Sequence, residues 1–146
     1  MGVLNKMRYL FITFIIFGLI FGLVACQSNK LSDSSKPTTT GYTTISAEEL
    51  HSVLDKKDFL LINVHIPYAG EITGTDSFIP YNEIEQNLNK LPSDKGDKIV
   101  LYCRSGSMSS IAARTMVKLG YTNVIDVPGG MNAWKSAGYE IIQRDM

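Results

Sequence analysis

Ile99-Val100-Leu101-Tyr102-Cys103-Arg104-Ser105-Gly106-Ser107-Met108-Ser109 is the stretch from which the rest of the chain can be read. Ile99 to Tyr102 is a short apolar run with no polar alternation, as in a strand covered on both faces. From Ser107 to Leu119, Met108, Ile111, Ala112, Met116 and Leu119 recur at helical spacing, and Gly120 stands where a helix stops. A buried strand therefore delivers Cys103 to its C-terminal end, and a loop of small residues turns into a helix. Open parallel sheets bind ligands at that edge. Gly106 and the flanking serines let backbone amides point inward, and the helix start adds about half a positive charge, so the loop favours an anion. A free thiol titrates near about pH 8.5, and helix N-termini and nearby cations lower this to roughly 3.5 to 7.5, which makes Cys103 a candidate nucleophile. The loop alone also fits a buried cysteine that merely ends a strand. A nucleophile at this position has to be ionised and open to solvent.

Working outward, Lys98 to Tyr102 has neighbours of the same kind. Tyr42 to Ile45 reads as a short strand. Ser46 with Glu49 three residues later is a capping box opening a helix to about Lys56, with Leu50 and Leu54 inward. Phe59 to Val64 is a second buried strand, followed by a long loop with Pro67, Gly70, Gly74 and Pro80. Asn82 is placed to cap a helix from Glu83 to Leu91, with Ile84, Leu88 and Leu91 on one face, ended by Pro92. Asn123 to Val127 makes another strand. Gly129-Gly130 then breaks the chain before a short helix, Met131 to Ala137, and a last strand from Tyr139 to Ile142. Strands alternating with helices predict an α/β fold: a mainly parallel sheet of about five strands with helices on both faces and right-handed crossovers.

The 146 residues, 45% of them hydrophobic, suit one domain with one core. Fourteen bases balance 14 acids, so the chain lacks the basic footprint of a nucleic-acid binder. The two histidines, His51 and His65, have no zinc-site spacing, and no metal or other cofactor is expected. Cys26 and Cys103 are far apart in unlike surroundings, which argues against a disulfide framework.

The N-terminus reads as an address. Met1 to Arg8 carries Lys6 and Arg8 without an acid, and from Tyr9 to Ala25 every residue but Thr13 is apolar, aromatic or glycine. Leu23-Val24-Ala25-Cys26 resembles the lipobox of bacterial lipoproteins, which implies cleavage after residue 25 and lipid attachment at Cys26. The competing reading is an uncleaved membrane helix, but the 17 residues from Tyr9 to Ala25 are at the lower limit for spanning, and such a helix has no need of a cysteine there. Cleavage removes two bases and no acid, leaving a net charge of about −2. Gln27 to Gly41 is a polar stretch of tether composition. The expected organisation is a signal peptide over 1–25, a lipidated N-terminus and tether over 26–41, and a domain over 42–146, held at the outer face of the cell membrane.

The run Thr44-Ile45-Ser46-Ala47-Glu48-Glu49-Leu50, the strand Leu60 to Val64, the loop Cys103 to Ser109, the helix with Ala112-Ala113, and Gly129-Gly130-Met131-Asn132-Ala133-Trp134 with Ala137-Gly138 together resemble a rhodanese domain, in that order and spacing. The cysteine loop and the Gly-Gly-x-x-x-Trp segment are the most specific parts. The resemblance implies the compact rhodanese-like fold. It also implies that Cys103 accepts a sulfane sulfur as a persulfide, from thiosulfate or another donor, and passes it to a thiol acceptor. Arg104, Ser105, Gly106, Ser107, Met108 and Ser109 then form the substrate-binding loop, with Asn63 and His65 as possible pocket residues.

Three departures stand out. Many family members carry arginine five positions after the cysteine, where this chain has Met108. The usual Asp-Val-Arg is Asn63-Val64-His65 here. The family's Gly-His-Ile-Pro-Gly-Ala is matched loosely by Gly70-Glu71-Ile72-Thr73-Gly74-Thr75. Arg104 can supply positive charge at the mouth. His65, as a loop histidine, and Glu71 and Asp76, as surface acids, read first as solvated. Tyrosine phosphatases and related arsenate reductases use a similar loop but place arginine six positions after the cysteine, where Ser109 stands, which argues against phosphoryl chemistry. A non-catalytic binding or redox-sensing module is the remaining alternative.

Overall fold

The computed structural model describes residues 41–144. The segments expected to be a signal peptide (1–25) and, but for residue 41, a lipidated tether (26–41) lie outside the described residues, Cys26 with them. The elements run β1 (Thr43–Thr44), α1 (Ala47–Val53), β2 (Leu60–Asn63), β3 (Glu71–Ile72), β4 (Ser77–Phe78), β5 (Ile99–Tyr102), α2 (Ser107–Lys118), β6 (Val124–Asp126), α3 (Gly130–Ser136) and β7 (Ile141–Ile142), with 3-10 turns at Leu54–Lys56 and Glu85–Lys90.

Five strands form one parallel sheet in the order β1-β6-β5-β2-β4. β5 lies at its centre, so Cys103 emerges from the middle of the C-terminal edge. Side-chain alternation along β2 and β5 builds a core on each face. Leu61, Val100 and Tyr102 face Leu50 of α1 and Met131 and Trp134 of α3. Ile62, Ile99, Leu101 and Cys103 face Ala112, Ala113 and Met116 of α2. The capping box that starts α1 is complete: the Glu49 amide donates to Ser46 Oγ (3.1 Å) and the Ser46 amide to Glu49 Oε2 (2.6 Å).

The structure corrects four expectations. First, the sheet does hold five strands, but Tyr139 to Ile142 is not among them. β7 leaves to pair antiparallel with β3 in a separate two-stranded ribbon, and β4, inside the expected loop, takes the fifth place beside β2. Second, Glu83 to Leu91 is not an α-helix. Asn87 Nδ2 donates to Glu83 O (2.8 Å), the acceptor an α-helical Asn87 amide would use, and the amide bonds Ile84 O instead. The turn breaks at Asn87 (φ −116°, ψ 30°). Third, Ile84 and Leu91 are buried in that turn while Leu88 is exposed. Fourth, Ile111 faces solvent, because the inward stripe of α2 runs through Ser109, Ala112, Ala113 and Met116. Among the described residues no helix is long and apolar enough to cross a membrane.

Candidate active site

Cys103 follows directly on β5, which is bonded on both sides at its end: the Val64 amide donates to Tyr102 O (2.9 Å) and the Val127 amide to Leu101 O (3.0 Å). The Gly106 amide, at the start of α2, donates to Cys103 Sγ across 3.1 Å. That bond requires Gly106 at φ 93°, a left-handed conformation that strains a residue with a Cβ. The Ser109 hydroxyl donates to Gly106 O (3.2 Å), so a buried side chain one turn into α2 braces the same glycine.

Across the loop sits the Gly129-Gly130 turn. The Met131 amide donates to Cys103 O and the Asn132 amide to Arg104 O, each at 2.9 Å. A Cβ on Gly130 would lie 1.9 Å from Cys103 O, so the approach that brings these amides to the loop is open to glycine alone. Gly129-Gly130 read in isolation suggests only a turn. A glycine pair opening a helix is the signal that its backbone meets another backbone.

Cys103 itself is 1% exposed. This overturns the expectation of a thiol open at the sheet edge: the sulfur lies on the floor of the loop. Arg104, Ser105 and Ser107 are exposed, Gly106 and Met108 are half-buried, and Ser109 is buried.

His65 is buried, against the expectation of a solvated loop histidine. Its Nδ1 lies 3.3 Å from Met108 Sδ. Burial first, and the Arg104 charge second, hold the imidazole below its ordinary pKa, so it is neutral at neutral pH. Asn63 is wholly buried with both ends engaged: Nδ2 donates to Gly70 O and Oδ1 accepts from the His65 amide, each at 3.0 Å. It braces the segment that carries His65, and both ends of its amide are already engaged within the protein. Glu71, expected on the surface, is 1% exposed. Its Oε1 lies 2.6 Å from Arg144 Nη2. No aligned hydrogen bond reaches either Glu71 oxygen, so charge attraction is what offsets its burial. Asp76 stays partly exposed, paired with Lys57 and accepting the Leu61 amide.

Sequence reading missed Asp126, the one acid in the run Val124 to Val127. It is buried at the end of β6, and burial raises its pKa against the lowering effects of the Ser109 hydroxyl, the Val127 amide and Arg114. Among the described residues no group of three or more His, Cys, Asp or Glu could hold a metal ion. A cavity of about 440 Å³ lined by His51, Asp55, Trp134, Tyr139 and Glu140 does not include the loop.

A parallel sheet that presents one sulfur beneath a backbone amide, with a glycine turn locking the loop, defines an α/β domain built around a strand-end cysteine. The family model described as "Rhodanese-like domain" matches residues 46–137, and the chain belongs to that family. It is 31% identical over 101 residues to a protein named "Sulfurtransferase" from Allochromatium vinosum, covering 67% of this chain and 92% of that one. It is 34% identical over 100 residues to "Adenylyltransferase and sulfurtransferase UBA4" of Candida albicans, covering 62% of this chain but only 23% of that protein's length. Among solved structures, a rhodanese-related protein from Thermoplasma volcanium superposes with a TM-score of 0.59 at 25% identity, covering 69% of this chain and 98% of that one.

Proposed function

We propose that this protein is a sulfurtransferase that carries a sulfane sulfur on Cys103. The observation that carries the reading is the Gly106 amide directed at Cys103 Sγ at the head of α2. The Cys103 sulfur attacks the outer sulfur of a donor, thiosulfate or another sulfane-sulfur compound. The donor's S–S bond breaks, the electron pair leaves with the remainder of the donor, and Cys103 holds a persulfide. A thiol acceptor then attacks the outer sulfur and Cys103 is released. The persulfide charge rests against the Gly106 amide at the head of α2. Two sulfurtransferase-named relatives support this reading. The buried thiol adds a requirement: the loop has to open locally to admit each partner.

That same burial favours one second reading, a fold-preserving module that binds a partner and never turns over. A sulfur-transfer assay on the full chain in detergent separates the two. Cys103-dependent turnover between a sulfane donor and a thiol, abolished in Cys103→Ser, is the expected result, and no turnover with any donor points to the module.

We further propose that the protein acts at the outer face of the cell membrane, anchored by lipid on Cys26 after removal of residues 1–25. The apolar run ending at Ala25-Cys26 supports this. Cys26→Ser is expected to abolish incorporation of labelled fatty acid, and unchanged labelling would overturn the anchor.

A further inference from the structure

We infer that Asp126 is a positioning residue for the Cys103 sulfur: it keeps its proton in the folded protein at neutral pH and donates it to Ser109 Oγ, and Ser109 in turn braces Gly106, whose amide holds the sulfur. The inference rests on the sulfur-transfer reading and assigns a role to a buried acid which that reading does not use.

Alternation along β6 sends Val124 into the core beneath α2 and Ile125 to the opposite core, so Asp126 returns to the α2 face. There it stands between Thr44 of β1 and Leu101 of β5, two residues before Cys103. Asp126 is 4% exposed, and its Oδ1 is buried without a hydrogen-bond partner. The Ser109 hydroxyl, from a wholly buried residue, is the side-chain group that bonds the carboxyl. The same hydroxyl donates to Gly106 O across 3.2 Å, and the Gly106 amide donates to Cys103 Sγ across 3.1 Å. One chain of contacts therefore runs from Asp126 through Ser109 and Gly106 to the sulfur.

A hydroxyl has one proton to give. Ser109 gives its proton to Gly106 O, so the bond between Ser109 and Asp126 has to take its proton from the carboxyl. An ionised Asp126 would draw the Ser109 proton to itself and leave Gly106 O with the Ser110 amide alone (3.1 Å). The surrounding charges favour the protonated form. β1 presents Thr44, β5 presents Leu101 and then the Cys103 thiol, and the turn after β6 presents Val127, Pro128 and Gly129. From α2 come Ser109, Arg114 and Lys118. Arg114 acts on Asp126, but it is exposed, and among the described residues no salt bridge joins the two. A buried carboxylate with an unpaired oxygen and no close cation is costly, and burial holds the proton on above the ordinary carboxylate range. A neutral Asp126 also leaves the start of α2 to one anion, the Cys103 thiolate or persulfide.

The test follows the rate of sulfur loading on Cys103 in the full chain in detergent, together with an infrared spectrum at neutral pH that does not depend on activity. Wild type is expected to show a carboxylic-acid carbonyl band that Asp126→Asn removes. Asp126→Ala is expected to slow loading about fivefold, the scale of one hydrogen bond. Asp126→Asn, whose amide can still donate to Ser109, is expected to restore the rate to within about twofold of wild type. In a Ser109→Ala background, Asp126→Ala should slow loading no further. No lost band, an asparagine variant as slow as the alanine variant, or an alanine variant as fast as wild type would each overturn the assignment. Should Asp126→Ala fail to fold, the infrared band and Asp126→Asn decide it. Wild type that takes up no sulfur would instead defeat the sulfur-transfer reading, and the infrared band would still decide whether Asp126 holds its proton.

Discussion

Two loops meet at the C-terminal edge of the sheet, and side chains take a different share in holding each. The cysteine loop, 103–109, is held by backbone: Gly106 to the sulfur, and Met131 and Asn132 to the carbonyls of Cys103 and Arg104. The 64–82 segment is pinned by backbone where its two short strands pair, β4 with β2 and β3 with β7, and is tied between and beyond them by side chains from elsewhere in the chain. The Tyr102 hydroxyl accepts from the Ile72 amide (3.0 Å) and bonds Thr75 Oγ1 (2.7 Å), Lys57 pairs with Asp76, and Arg144 reaches both Glu71 and Thr75 O. A loop closed by main chain needs small residues in fixed places, whereas a loop closed by side chains needs partners that any distant position can supply. The first kind suits a site that must hold one atom in one place, and the second tolerates change at the rim.

This contrast yields graded expectations. The largest effect is expected for Gly130→Ala, which forces a Cβ against Cys103 O and strains φ 48°. A loss of about 3 kcal/mol or more in urea unfolding is expected, together with loss of sulfur loading. Loading at the wild-type rate would break the claim that this turn locks the loop. Next is Arg144→Ala, which leaves Glu71 buried without its partner. Because Arg144 is half-exposed and screened, about 2 kcal/mol is expected. Hydrogen exchange should quicken across 70–76 while sulfur loading persists, and equal damage to loading would show that the two loops are not independent. Tyr102→Phe should cost about 1 to 2 kcal/mol by leaving the Ile72 amide unpaired, measured the same way.

The smallest effect is the pH response of His65. Its folded pKa lies below the unfolded value of about 6.5, so the unfolded chain binds the proton more readily. Its contribution to stability is complete above that value and is lost as pH falls through it toward the folded pKa. A His65→Gln variant should show a shallower decline in unfolding free energy over that window, and an unchanged slope would contradict the burial argument.

The same contrast explains what was legible in the sequence. The capping box at Ser46 closes its hydrogen bonds within a few residues, and the mostly apolar runs of β2 and β5 and the helical spacing after Cys103 show in residue type alone, so composition and spacing reveal them. β3 and β4 are two residues each and exist only because β7 and β2 lie beside them. No periodicity can show that. Glu71 was misplaced on the surface for the same reason: its partner is 73 positions away. Asn87 misled in another way, its side chain displacing a backbone bond that the apolar spacing had implied. The loop around Cys103 fitted both an open nucleophile and a buried cysteine, and its burial could not be read from spacing because the residues that share its core cluster, from β2, β5 and α2, come together only through the sheet.

The account is tested most directly by weighing the full chain after brief exposure to a sulfane-sulfur donor and removal of the excess. One added sulfur atom on wild type, released by a thiol and missing from Cys103→Ser, is the result expected. An unchanged mass on wild type, or the same adduct on Cys103→Ser, would contradict it.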